Sequence, residues 1–75
     1  METIRYYVLR FDEYNVEIGA ADVCWDCWLY KNNYGVKSYM FGLPRTNTTL
    51  EQCVEIVRAN APEYIETYRK EYEEE

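Results

Sequence analysis

The sequence predicts an α+β fold: an antiparallel meander of three or four strands, then a kinked C-terminal helix or two short helices packed on one sheet face. Three observations predict it. Residues 22–42 read DVCWDCWLYKNNYGVKSYMFG, aromatic and β-branched runs broken by Asn and Gly, which is the pattern of a hairpin. Two strand-like runs precede it, between residues 4 and 18. After Pro44, apolar residues recur at spacings of three and four, as on one face of a helix. At 75 residues the chain is one domain, 1–75, with no internal repeat and no linker long enough to divide it.

In the first run, IRYYVLRF, Ile4, Tyr6 and Val8 share one face and Tyr7, Leu9 and Phe11 the other. Both faces are largely apolar, so this strand is expected inside the sheet or covered on both sides. Asp12-Glu13 marks a turn. Tyr14, Val16 and Ile18 then alternate with Asn15 and Glu17, the period-two signature of a half-exposed strand.

The hairpin is expected to run from about Val23 to Lys31, turn near Asn32-Asn33-Tyr34-Gly35, and return to about Phe41. In its first strand Val23, Trp25, Cys27 and Leu29 share a face, and Cys24, Asp26, Trp28 and Tyr30 the other. Asp26 marks the second face as the wetter one. The return strand sets Tyr39, Phe41 and Leu43 against Val36, Ser38 and Met40, and large apolar groups on both sides leave its inner face open.

Leu43 to Asn47 reads as a loop, because Pro44 cannot donate a ladder hydrogen bond. Thr48 with Glu51, or Thr49 with Gln52, has the spacing of a capping box. Leu50, Cys53, Val54, Val57, Ala61, Tyr64, Ile65, Tyr68 and Tyr72 then form the apolar stripe of an amphipathic helix. Pro62 removes a donor and disfavours helical angles at Ala61, which predicts a break or kink near Asn60-Ala61, with helices over about 49–60 and 62–73. The acids Glu73, Glu74 and Glu75 oppose the helix dipole and are expected to fray.

Composition narrows function. Net charge is -6, which argues against direct nucleic-acid binding and against an anionic membrane surface. No apolar run approaches the ~20 residues of a membrane helix. METIRYYV does not read as a secretory signal, so cytoplasmic, reduced thiols are expected. With no histidine, one serine and no Gly-rich phosphate loop, the chain offers no catalytic kit, and no enzyme is expected.

Cys24-Trp25-Asp26-Cys27 is a C-x-x-C, but in a strand its sulfurs point to opposite faces and cannot act together. Zinc would need a fourth ligand beyond Cys24, Cys27 and Cys53. The cysteines therefore read as small buried hydrophobes, with no cofactor and no metal, and a cysteine-based metal or redox site stands as an alternative.

The function expected is that of a small, acidic, non-enzymatic protein-binding module. It would act as an inhibitor by occupying a basic nucleic-acid-binding surface of another protein. Its partner-binding candidates are Glu51, Glu55 and Glu66 along one helix face, with Asp26, Trp28, Tyr30 and Tyr72 as further acidic and aromatic contacts. Arg58 and Arg69 interrupt the carboxylate row. A structural homo-oligomer, such as a homo-dimer joined through exposed aromatic area, is the other alternative. In size, acidity and tyrosine content the chain is similar to small phage and mobile-element inhibitors of host enzymes, including anti-CRISPR proteins. That resemblance covers no alignable motif and transfers no functional residues.

Overall fold

The computed structural model describes residues 4–73. Strands β1 (Ile4–Phe11), β2 (Tyr14–Ala20), β3 (Cys24–Lys31) and β4 (Lys37–Pro44) form one antiparallel sheet in the order β1-β2-β3-β4. Helix α1 (Leu50–Tyr68) follows and closes in a π-helical turn over Arg69–Glu73. The expected meander with a C-terminal helix is the observed fold.

Turn chemistry sets the register. Phe11 pairs with Tyr14 across Asp12-Glu13, and Asp12 takes the positive φ of 59° that this short connection requires. Between β3 and β4 the positive φ falls on Asn33, at 60°, and not on Gly35. The Tyr34 N–H donates to the Lys31 carbonyl at 3.2 Å, and the Val36 N–H donates to the Tyr34 carbonyl at 2.8 Å. Thr49 caps α1, exchanging hydrogen bonds with Gln52 in a capping box.

One face of the sheet carries the core. Val16, Ile18, Cys27 and Leu29 from the two central strands meet Cys53, Val57 and Tyr68 of α1. Each such aliphatic side chain contributes roughly 1.5–3 kcal/mol when fully withdrawn from water. The Trp25 indole N–H donates to the Thr48 carbonyl at 2.7 Å and fastens the start of α1 to β3. At the other end, the Tyr68 hydroxyl donates to the Val36 carbonyl at 2.6 Å.

Two bulges alter the alternation. Tyr6 is an extra residue in β1, so both Tyr6 and Tyr7 lean to the helix side, Tyr6 against the Trp25 ring at 5.5 Å. Met40 is the extra residue in β4, and it enters the core beside Phe41 while Tyr39 stays on the opposite face. β1 is an edge strand with α1 on one side only, not an internal strand or one covered twice. Its second apolar face is made by the bulge. The expected placement of the Ile4 side chain lies outside the described residues.

Other expectations need correction. β4 continues to Pro44, whose missing donor costs nothing on the outer edge of the sheet. Val23 precedes β3 and is exposed. Asn15 is buried, its amide donating to the Asn32 side-chain oxygen at 2.8 Å. α1 runs unbroken through Pro62. Pro62 is exposed, so the Arg58 carbonyl that it leaves without an N–H partner can turn to water. Glu73 does not fray: its carboxylate accepts from the Tyr14 hydroxyl at 2.7 Å and from Lys31 Nζ at 2.8 Å. Glu74 and Glu75 lie outside the described residues.

Candidate protein-binding surface

Because α1 packs on one face of the sheet, the other face is left to solvent; no described element packs on it. The register arranges that face in rows. Val8, Glu17, Trp28 and Tyr39 form one row across all four strands. Arg10, Asn15, Tyr30 and Lys37 form the next, and Gly19, Asp26 and Gly42 form a third on the other side of Trp28.

Trp28 and Tyr39 meet edge to face, ring centroids 5.0 Å apart and planes at 69°. Tyr39 is 48% exposed. Its hydroxyl donates to Asp26 Oδ1 at 3.2 Å, and the Cys24 thiol reaches the same oxygen at 3.2 Å. Partial desolvation, and then the Asp26 charge, push the Tyr39 hydroxyl above its ordinary pKa. The bond to Asp26 is the main reason that the Cys24 thiol is also raised. Lys37 bridges to Glu17 at 3.4 Å and lies over the Tyr30 ring, 5.5 Å from its centroid. The surface is thus an aromatic strip flanked by the carboxylates Glu17 and Asp26 and the cations Arg10 and Lys37, held by contacts among its own side chains.

The sequence candidates separate into two groups. Asp26, Trp28 and Tyr30 stand together on this open face. Glu51, Glu55 and Glu66 are exposed on α1, on the far side of the sheet, with Arg58 exposed between them. Glu51 and Glu55 flank a shallow groove lined by Tyr7, Leu50 and Val54, and Glu66 is not part of it. Tyr72 is exposed at the end of the chain, its ring against Tyr68 at 4.9 Å and its carbonyl accepting from the Tyr34 hydroxyl.

Tyr39 was not among the candidates. The Met40 bulge hides its face from a count along β4, and only its pairing with Trp28 places it. The cysteines hold a second contact that spacing does not show. Cys24 and Cys27 are on opposite faces, as expected, but Cys27 meets Cys53 of α1 with sulfurs 3.8 Å apart, both thiols wholly buried. Burial pushes both of these thiols up, Cys27 strongly. Among the described residues no three His, Cys, Asp or Glu side chains cluster in the manner of a metal site. No described helix is long and apolar enough to cross a membrane.

No protein-family model matches this chain, and no curated protein or solved structure matches it either.

Proposed function

We propose that this chain is a non-enzymatic protein-binding module that lays its open sheet face against a basic surface of another protein, and inhibits that protein by occupying a site otherwise used for nucleic acid. The observation that carries this reading is the row Val8-Glu17-Trp28-Tyr39 with Asp26 beside it, an aromatic strip left uncovered on an acidic domain. Trp and Tyr are the side chains that most often anchor interfaces. A net charge of -6 favours and accelerates encounter with a basic surface, and it opposes face-to-face pairing of two copies. Both edge strands carry a bulge, which discourages growth of the sheet by strand addition.

The test is retention from a lysate of the native host on three immobilised baits: the wild type, Trp28→Ala/Tyr39→Ala, and Glu51→Gln/Glu55→Gln/Glu66→Gln. A basic nucleic-acid-binding protein held by the wild type and the helix variant, lost from the sheet variant and released by salt, is the expected result. Retention by the sheet variant equal to the wild type would remove the reading.

A further inference from the structure

We infer that Asp26, Trp28 and Tyr39 form a receptor for one arginine side chain of the partner protein. This rests on the open sheet face being the binding surface, and it names the group that enters it. Three contacts within the chain show how its cations are used: Lys31 lies over Tyr14 at 5.9 Å, Lys37 over Tyr30 at 5.5 Å, and Arg45 over Trp25 at 5.2 Å. Among the described residues, no cation lies over the Trp28-Tyr39 pair and no ion pair involves Asp26. A carboxylate and two ring faces on an open surface are the complement of a cation.

Geometry favours guanidinium over ammonium. Both hydrogen bonds that Asp26 accepts from described side chains arrive at Oδ1, so neither of them takes Oδ2. The two rings meet edge to face at 69°, and a planar cation stacks on a ring face, where the π charge is negative. A guanidinium can stack and donate in its own plane at once, whereas an ammonium is a point charge. Gly42 makes room for the Tyr39 hydroxyl beside Asp26. It is the cross-strand neighbour of Asp26, and a Cβ there would lie 2.7 Å from the Tyr39 hydroxyl oxygen and 3.2 Å from Asp26 Oδ1. The Tyr39 hydroxyl reaches Asp26 only because position 42 has no side chain. The Gly42 φ is not positive, so alanine fits the backbone and displaces the hydroxyl.

The experiment follows amide and indole chemical shifts on titrating the full chain with acetyl-Gly-Arg-Gly-amide, with the same peptide carrying citrulline, and with nona-arginine. The arginine peptide is expected to move the Trp28 indole signal and the backbone signals of Asp26 and Tyr39. Asp26→Asn and Gly42→Ala should each weaken that binding by about tenfold or more, a factor of ten being about 1.4 kcal/mol. An unmoved Trp25 indole signal reports that each variant is folded. The citrulline peptide should cause no shift. Equal binding of the citrulline peptide, or undiminished binding by Asp26→Asn, overturns the receptor. So does silence with the arginine peptide. If nona-arginine still moves the open face in any of these cases, the broader surface stands without the receptor. If nona-arginine moves only α1 signals, the surface falls as well.

Discussion

Removing the hydroxyl of Tyr68 tests how the end of α1 is held. Tyr68 is 1% exposed, and its ring touches Tyr14, Tyr34 and Tyr72 at centroid distances of 6.0, 6.3 and 4.9 Å. Its hydroxyl serves the Val36 carbonyl at 2.6 Å, in the connection before β4. Tyr68→Phe keeps the rings together and leaves that carbonyl without its partner, a loss of about 1–3 kcal/mol for a fully buried acceptor. Val36 is half-buried, so water recovers part of it and about 1–2 kcal/mol is expected. Tyr68→Ala also removes the ring and should cost about 3–5 kcal/mol. A domain of this size holds only ~4–11 kcal/mol in all, so the alanine variant should be close to unfolding. The phenylalanine variant should lose roughly 5–15 °C of Tm. Urea unfolding followed by circular dichroism and tryptophan fluorescence measures both. A phenylalanine variant within about 0.3 kcal/mol of wild type, together with an alanine variant costing under about 1.5 kcal/mol, would refute this docking of the helix.

Three further outcomes are expected. The Lys31 ammonium, and then the Tyr14 hydroxyl, hold the Glu73 carboxyl below its ordinary pKa. A depressed pKa stabilises above the unfolded value of about 4.3 and is lost as pH falls through the folded one. The urea midpoint of the wild type should therefore fall more steeply than that of Glu73→Gln on acidification below that value, and parallel curves would contradict the contact. Under brief maleimide labelling of the native protein, Cys24 should react while Cys27 and Cys53, wholly buried, stay protected until denaturant is added; mass spectrometry of the peptides reads this, and early labelling of Cys53 would oppose the packing of α1 on β3. Pro62→Ala should stabilise the domain by about 2–2.5 kcal/mol, the interior-helix cost of proline less its restriction of the unfolded chain. A loss of stability would mean that the ring packs usefully on the neighbouring Phe11 and Ile65.

Much of the fold follows from periodicity. In β3 the alternation of Trp25, Cys27 and Leu29 with Asp26, Trp28 and Tyr30 separates core from open face without help from the tertiary structure. The same count fails in β1 and β4, because each inserts one unpaired residue at a bulge and period two does not survive it. That is why β1 reads as doubly covered and why Tyr39 is missed. Pro62 misleads for another reason: local backbone preference marks a break, but the stripe from Cys53 through Val57, Ala61 and Tyr68 lies on the sheet and holds the helix together across it. Asp26, Trp28 and Tyr30 were legible as open-face residues because a charge inside an aromatic strand needs a wet face. The helix acids share their sign but not their side of the molecule, and the Cys27-Cys53 contact depends on how α1 lies over β3.

The two tryptophans report on opposite faces, so one spectrum decides between them. Trp25 is buried under the start of α1 and Trp28 stands on the open face. Protein labelled with fluorotryptophan gives one fluorine resonance for each, assigned by Trp28→Phe. On adding nona-arginine at low salt, the Trp28 resonance should move in a saturable, salt-sensitive way while that of Trp25 stays in place. Movement of the Trp25 resonance alone, or of neither while amide signals of α1 shift, would contradict the open sheet face as the binding surface.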